Sequence, residues 1–290
     1  MIDKKPFLGI IGGSGLYDLN NIVNPRWISV NSFYGNPSDD ILIGSINDIK
    51  LAFLPRHGKN HHLLPSGINY RANIDCLKSI GVTDIISLSA VGSLKESIKP
   101  GDFVIVDQFI DRTFARNKTF FDDGIVAHVS MAKPVSKQLS NLILESAPND
   151  FNISIGGTYL AMEGPQFSTL AESELYRSWN CDIIGMTNMP EAKLAREAEI
   201  AYATIAMVTD YDCWHPDHDA VTVDNIIKVL NANSANAKIL IKNIINNIAK
   251  KEWQWTDPAY NALENAIITP LDARPKKAIQ KLQNIAKKYL

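Results

Sequence analysis

Short apolar runs alternate with helix-like segments along most of this chain, and this alternation constrains its fold more than any other feature. The first run, Phe7–Ile11, stops at the glycine-rich turn Gly12–Gly15. Later apolar runs cover Asp84–Ser89 and Tyr202–Val208, whereas segments such as Ser66–Ile80 carry apolar residues at helical spacing. Buried strands separated by helices are typical of a largely parallel or mixed sheet that is covered on both sides. The sequence therefore predicts an α/β fold, a mixed β-sheet flanked by helices.

The same patterns predict the remaining elements. Further strands are predicted at Ile41–Ile46 and Lys50–Leu54, which form a hairpin, and at Phe103–Asp107, Thr158–Met162 and Asp182–Ile184. Further helices are predicted at Pro134–Ser146, Thr169–Trp179, Pro190–Ala198, Val221–Lys250 and Pro275–Tyr289. No repeat or linker-like stretch precedes about residue 256, so a single domain spanning residues 1–290 is expected. The proline-containing stretch 256–275 is interpreted as a candidate arm onto a neighbouring subunit.

Charge and cysteine usage exclude several classes of protein. The 29 Lys and Arg residues nearly balance the 31 Asp and Glu residues, which disfavours a dedicated nucleic-acid-binding protein. The chain contains no stretch of roughly 18 apolar residues, as a spanning helix requires, and its N-terminus is not typical of a signal peptide. The three cysteines, Cys76, Cys181 and Cys213, are far apart and lack metal-ligand spacing. A cytoplasmic protein is therefore expected.

The first chemically informative residues follow two of the predicted strands, where α/β sheets gather their ligands. The turn Gly12–Gly15 resembles the start of a dinucleotide fingerprint, but Asp18 occupies the third glycine position, which disfavours a nicotinamide cofactor. Backbone N–H groups of this turn and the Ser14 hydroxyl suit an anion instead. Arg56 and His57 follow another strand, and an arginine offers a planar fork for oxyanions. Histidine spacing typical of metal sites is absent, so no metal is expected.

Two carboxyl groups follow the last predicted strand, at Asp210 and Asp212. Side chains at positions i and i+2 of an extended chain point the same way. Two neighbouring carboxyl groups can share a proton, which keeps one of them protonated near neutral pH. Such an acid could protonate a departing heterocycle, although two solvated acids on a loop would show the same pattern.

Nine motifs occur along the chain in the order of the trimeric purine nucleoside phosphorylase family, which it resembles from about residue 7 to residue 250. They are Gly9–Leu16, Pro55–Gly58, Pro65–Asn73, Ala90–Leu94, Pro100–Asp102, Asp107–Thr113, Glu163–Phe167, Met186–Ala192 and Thr209–Trp214. Within that family, the chain is most similar to members that act on S-methyl-5′-thioadenosine. The resemblance implies a purine nucleoside phosphorylase-like fold, a homotrimer, no cofactor, and inorganic phosphate as a co-substrate. The implied reaction is reversible phosphorolysis to adenine and 5-methylthioribose 1-phosphate.

The resemblance also implies roles for individual residues. Phosphate would be bound by Ser14, Arg56, His57, Ser89, Ala90 and Thr187. Met186 would lie under the ribose, Phe167 would pack on the purine, and the catalytic residues Asp210 and Asp212 would recognise N7 and the 6-amino group of adenine. The methylthio group would contact Val223 and Ile226, together with His128 from a neighbouring subunit.

Departures from the family pattern leave the substrate range open. Ser14 stands where many relatives have Thr, and Gln166 stands where others have Arg. Phosphorolysis of methylthioinosine, inosine or adenosine is the first alternative, and the two aspartates favour a 6-aminopurine over a 6-oxopurine. Hydrolysis of the nucleoside by water is the second alternative, and it would not require the phosphate-binding residues. A non-catalytic nucleoside-binding protein is the third.

Overall fold

The structure is a computed structural model that describes residues 5–13, 21–216 and 223–290, without the side chains of residues 223–227. Its strands are β1 (Leu8–Gly12), β2 (Val23–Ile28), β3 (Ile41–Ile46), β4 (Ile49–Pro55), β5 (Asp84–Ser93), β6 (Phe103–Ile105), β7 (Gln108–Asp111), β8 (Ile153–Ile155), β9 (Thr158–Ala161), β10 (Ile183–Gly185) and β11 (Ala201–Asp210). Its helices are α1 (Tyr70–Ser79), α2 (Lys137–Ser146), α3 (Leu170–Ser178), α4 (Asn188–Glu197), α5 (Val223–Lys250), α6 (Lys276–Lys281) and α7 (Gln283–Ala286). These elements confirm the predicted α/β class.

The strands of the described residues form one mixed sheet with β5 at its centre. The first half of β5 lies parallel to β1, which in turn lies parallel to β4. On its other side β5 pairs in parallel with β11 over most of its length. The last residues of β5, Gly92 and Ser93, also pair with β10 in the antiparallel sense. The sheet thus branches at the carboxyl end of β5, and the loops around that branch point face one another.

Alternate residues of the central strands pack into two separate hydrophobic cores, one on each face of the sheet. Ile11 and Ile85 belong to the core that also contains side chains of α1 and α4. Ile10 and Ile86 belong to the opposite core, with side chains of α2 and α5. Successive strand residues point to opposite faces, so a strand buried on both faces is expected to be apolar at most successive positions. This explains the continuous apolar runs in the sequence.

Two helices begin later in the structure than the apolar pattern predicted, because a capping residue determines where each helix starts. The helix predicted from Ser66 begins only at Tyr70, because the Asn69 side chain accepts a hydrogen bond from the Ala72 N–H. The helix predicted from Pro134 likewise begins after Ser136, which caps α2. The predicted helix Thr169–Trp179 becomes α3, which Thr169 caps.

Three strands, β2, β7 and β8, were missed by the sequence interpretation. Five of the six residues of β2 are exposed, so it lacks the apolar run that would reveal it. The predicted C-terminal helix is also shorter than expected: it divides into α6, α7 and a 3₁₀ turn, Lys287–Tyr289.

The stretch 256–275, which was expected as a candidate arm, has side chains that pack on their own chain, and its contact with a neighbouring subunit stays a prediction. Leu263 and Ala266 are buried in the core beside α1, and the Tyr260 hydroxyl donates to Asp84 Oδ1 at 2.8 Å. Apolar side chains spaced three and four residues apart provide the packing of this proline-containing stretch against the core. Within the described ranges, no helix is both long and apolar enough to cross a membrane.

Candidate active site

A cavity of about 430 Å³ opens where the loops after β4, β9, β10 and β11 meet the carboxyl-terminal half of β5. Nine of the site residues predicted from the sequence line it: Arg56, His57, Ser89, Ala90, Phe167, Met186, Thr187, Asp210 and Asp212. They come from segments up to 156 positions apart (56 to 212), so the fold brings them together.

Of the other four predicted site residues, three lie partly or wholly outside the described structure, and the fourth, His128, is not among the described lining residues. Ser14 lies outside the described residues, although its neighbour Gly13 lines the cavity. Val223 and Ile226 begin α5, but their side chains lie outside the description. His128 is exposed, and its backbone N–H donates to the Ala266 carbonyl at 2.9 Å; it was expected to serve a neighbouring subunit.

Arg56, directly after β4, forms a buried ion pair with Glu191 of α4. Arg56 Nε donates to Glu191 Oε2 at 2.8 Å, and Arg56 Nη2 donates to Oε1 at 3.0 Å. The two side chains are only 2% and 1% exposed. Glu191 raises the pKa of the Arg56 guanidinium further above its ordinary value, against the opposing effect of burial. The arginine at the cavity is therefore always charged and is fixed in one orientation.

Hydroxyl groups complete the hydrogen bonding of the Glu191 carboxylate. Ser87 Oγ and Tyr202 Oη donate to Glu191 Oε1 at 2.7 and 2.8 Å. The Asn188 side-chain amide donates in turn to both hydroxyl oxygens. Buried charges are tolerated when they are paired and hydrogen-bonded, and this network meets both conditions. Glu191 lies within a motif quoted above, but nothing in the sequence indicated its contact with Arg56.

His57 lies beside Arg56 as a neutral ring. Its Nδ1 is 2.8 Å from the Leu63 carbonyl oxygen, a contact that requires a proton on Nδ1. Burial lowers the pKa of His57 to about 4, so the ring is uncharged at neutral pH. With its proton on Nδ1, the imidazole presents Nε2 as a hydrogen-bond acceptor. The ring also stacks on His61, with the ring centroids 4.3 Å apart.

Three hydroxyl groups cluster on the next part of the cavity wall. Ser89 Oγ lies 3.1 Å from Tyr159 Oη and 3.3 Å from Thr187 Oγ1. Ser89 and Thr187 are buried and line the cavity, and Tyr159 packs behind them. A hydroxyl can donate as well as accept, so this cluster can turn its protons toward an anion.

Asp210 and Asp212 lie at the far end of the cavity, where β11 ends. Asp210 Oδ1 accepts the Asp212 N–H at 2.8 Å, and its Oδ2 accepts the Thr209 hydroxyl at 2.7 Å. Burial raises the pKa of both carboxyl groups, and the charge of Asp212 adds to the shift at Asp210. Asp212 Oδ2 is buried and has no hydrogen-bond partner within the described part of the chain. An unpaired buried oxygen is costly, which favours a ligand that donates to it.

Apolar side chains form the middle of the cavity. Met186 follows β10, and a Cβ atom at Gly164 would lie 2.5 Å from its sulfur, so the loops after β9 and β10 pack directly on each other. Phe167 is 48% exposed and stands at the mouth. Leu230 and Ser234 of α5 also line the cavity; sequence reasoning missed them, although it had assigned the start of the same helix to the site.

In the parts of the chain that the structure covers, no three His, Cys, Asp or Glu side chains lie close enough to hold a metal ion together. The cavity thus has an Arg–His–hydroxyl end and a paired carboxyl end, separated by apolar residues. This arrangement suits a ligand with an anionic group and a heterocycle on opposite sides of an apolar or sugar-like middle.

Comparisons with known proteins show the family of the chain. The model of the phosphorylase superfamily matches residues 7–246. The S-methyl-5′-thioadenosine phosphorylase of Rhodospirillum rubrum is 56% identical over 289 residues, which cover 99% of this chain and 98% of that protein. A crystal structure of methylthioadenosine phosphorylase from an antarctic soil metagenomic library matches with a TM-score of 0.91 and 48% identity, covering 97% of this chain and 99% of the other.

A more distant structure was solved with a nucleoside bound. It is a mutant of adenosine/methylthioadenosine phosphorylase from Schistosoma mansoni in complex with methylthioadenosine. It has a TM-score of 0.81 and 34% identity, and the match covers 90% of this chain and 96% of that one.

Proposed function

The chain belongs to the S-methyl-5′-thioadenosine phosphorylase family of the phosphorylase superfamily, and from this premise we propose that it catalyses the reversible phosphorolysis of S-methyl-5′-thioadenosine. The products are adenine and 5-methylthioribose 1-phosphate. One observation carries the proposal: a single cavity joins the Arg56, His57 and Ser89 end to the Asp210 and Asp212 end.

Inorganic phosphate binds at the Arg56 end of the cavity in this proposal. The residues assigned to it are Ser14, Arg56, His57, Ser89, Ala90 and Thr187. Arg56 contributes a charge-assisted hydrogen bond from a fixed guanidinium. Neutral His57 accepts a hydrogen bond at Nε2 from the O–H group of hydrogen phosphate, which favours the singly protonated dianion over a fully ionised phosphate.

The purine binds at the carboxyl end. The buried Oδ2 of Asp212, which lacks a partner in the described structure, accepts a hydrogen bond from the 6-amino group. Asp210, whose pKa is raised by burial, carries a proton to N7. A 6-oxopurine would present an oxygen to Asp212 in place of a donor, so adenine is the better fit. Phe167 and Met186 cover the base and the ribose.

The reaction then needs no covalent intermediate with the protein. Phosphate oxygen attacks C1′ while the C1′–N9 bond breaks, and the electron pair leaves with the purine. Asp210 neutralises the departing base by donating its proton to N7. The bound phosphate places negative charge beside the developing sugar cation, which stabilises the transition state. No metal or redox cofactor takes part in this scheme.

A homotrimer of single-domain, cytoplasmic subunits completes the proposal. Phe114, Leu64 and Phe167 are 82%, 61% and 48% exposed, and the latter two line the cavity. Large exposed apolar side chains beside a site mark surfaces that bind partners. A neighbouring subunit on this surface would cover the cavity and bring His128 to the methylthio group, beside Val223 and Ile226.

The test is adenine release from S-methyl-5′-thioadenosine, measured with and without phosphate and with methylthioinosine and adenosine in parallel. We expect phosphate-dependent release that is fastest with S-methyl-5′-thioadenosine. Preference for methylthioinosine would overturn the role given to Asp212, and preference for adenosine would overturn the methylthio pocket. Release without phosphate would place the chain among hydrolases.

A further inference from the structure

A second buried arginine, Arg116, binds backbone oxygens of the two loops that form the apolar middle of the cavity. It lies between β7 and α2 and is 8% exposed. Its Nη1 donates to the carbonyls of Met186 and Met189 at 2.5 and 2.7 Å. Its Nη2 donates to the Glu163 carbonyl at 2.7 Å. One guanidinium thus connects the loop after β9 with the loop after β10.

These two loops hold the side chains that the proposed function assigns to the nucleoside. Met186 belongs to the second loop, and Phe167 belongs to the first. Thr187, which is assigned to phosphate, is held separately by its contacts with Ser89 and Tyr159. Because Gly164 packs against the Met186 sulfur, the spacing of the loops sets the position of the Met186 side chain. The carbonyl contacts of Arg116 fix that spacing from behind the cavity wall.

The Glu163 side chain holds Arg116 in place. Its Oε2 accepts the Phe114 N–H at 2.6 Å, and its Oε1 lies 3.4 Å from Arg116 Nε. Ser66 Oγ accepts from Arg116 Nε at 3.3 Å and donates to the same carboxylate. A lysine has the same charge, but its donors radiate from one nitrogen and cannot span carbonyls on two loops as a guanidinium does.

We propose that Arg116 is the positioning residue for the nucleoside half of the site. It acts through the backbone of Met186 and Glu163 and does not line the cavity among the described residues. The inference rests on the proposed function, since it assumes that the loops after β9 and β10 bind the nucleoside. It predicts that Arg116 controls nucleoside affinity, while the Arg56–Glu191 pair controls phosphate affinity.

The test compares Arg116→Lys with a matched control, Arg196→Lys. Arg196 is similarly buried, at 7% exposed, and also donates to a backbone carbonyl, that of Lys133 at 2.6 Å, but it does not line the cavity. The KM for S-methyl-5′-thioadenosine at saturating phosphate and the KM for phosphate at saturating nucleoside are measured for each. Misplacement of binding groups by about 1 Å can cost up to about 100-fold. For Arg116→Lys we expect the nucleoside KM to rise about tenfold or more, with the phosphate KM changing less than about twofold.

Arg196→Lys should leave both KM values unchanged. A purely structural Arg116 would give the same result as the control, and equal rises of both KM values would also overturn the proposal. Should Arg116→Lys fail to fold, Glu163→Gln weakens the same contacts without removing the guanidinium. We expect it to raise the nucleoside KM about threefold, and an unchanged KM would count against the proposal.

Hydrogen exchange separates this inference from the proposed function. In Arg116→Lys, amides of residues 162–168 and 185–189 should exchange faster than in Arg196→Lys, whatever reaction the protein catalyses. Wild-type protein that releases no adenine but shows this difference would refute the reaction and keep the loop-positioning role. Equal exchange in the two variants would refute the positioning role itself.

Discussion

Replacing Glu191 by Gln tests whether the buried Arg56–Glu191 pair orients a phosphate ligand. Removing one member of a buried ion pair costs about 3–5 kcal/mol of folding stability, because the other charge is left unpaired. Typical domains are stable by about 5–15 kcal/mol, so the variant should fold with a reduced Tm. The amide NH₂ of Gln must face either Arg56 Nε or the donors at Oε1, so the bidentate contact is lost.

The expected kinetic effect is confined to phosphate. A hydrogen bond to a charged group contributes about 1.5–3 kcal/mol, which corresponds to about a 10- to 100-fold rise in the phosphate KM if the Arg56 contact is lost. The KM for S-methyl-5′-thioadenosine should change less than about twofold, because none of the described residues assigned to the nucleoside hydrogen-bonds to Arg56 or Glu191. Steady-state adenine release at varied concentrations of each substrate gives both values.

A second variant separates stability from binding. Replacing buried ion pairs with well-packed apolar residues is often neutral or stabilising. The double variant Arg56→Met, Glu191→Leu should therefore recover much of the Tm lost in Glu191→Gln, yet retain the high phosphate KM. If the double variant recovered both the wild-type Tm and the wild-type phosphate KM, Arg56 would have only a structural role. A fall in phosphate KM in Glu191→Gln would show that net charge matters more than orientation, and would refute the orienting role of Glu191.

Three further predictions concern Asp210, His57 and Asp84. Asp210→Asn should lower kcat/KM for S-methyl-5′-thioadenosine by about 100-fold, because the proton for N7 is lost; an unchanged value would remove Asp210 from base recognition. Burial lowers the pKa of His57 from its ordinary value of 6.5 to about 4. The free energy of unfolding of the wild-type protein should therefore fall by up to about 1.4 kcal/mol per pH unit as the pH decreases from 6.5 toward 4. His57→Gln should not show this loss of stability at acid pH. Urea unfolding at pH 7 and pH 5 measures it, and an equal change in stability in the variant and the wild type would contradict the prediction. Burial raises the pKa of Asp84 from 3.8 to about 7, so the wild-type protein loses stability as the pH rises through this range. The Tm of Asp84→Asn should therefore increase relative to that of the wild type as the pH rises. A Tm difference that does not change with pH would contradict this prediction.

The parts of the fold predicted from sequence are those encoded by local pattern. The central strands are mostly apolar on both faces because both faces are covered, and β3 and β4 form the predicted hairpin. The strand β2 escaped prediction because its exposed residues need only pair with β3 at the sheet edge. Pairing is a non-local property, and an exposed edge strand has no apolar signature.

The same distinction holds for the site. Arg56 and Asp210 were identified because each lies two residues after the end of a predicted strand, where ligands gather in α/β sheets. Glu191 and Arg116 were assigned no role, since each acts through a partner far away in sequence: Glu191 is 135 positions from Arg56, and Arg116 is 70 from Met186. Such contacts depend on the packing of whole elements, which a single sequence does not reveal.

In the proposed function, the ion pair of Arg56 with Glu191 and the neutral His57 limit the affinity of the cavity for phosphate. The Arg56 charge is compensated by Glu191, and His57 stays neutral because burial lowers its pKa. Among the described lining residues, the site therefore offers oriented donors with little net positive charge. A phosphate bound in this way keeps most of its negative charge for the sugar cation, and its sugar ester can leave, as a reversible reaction requires.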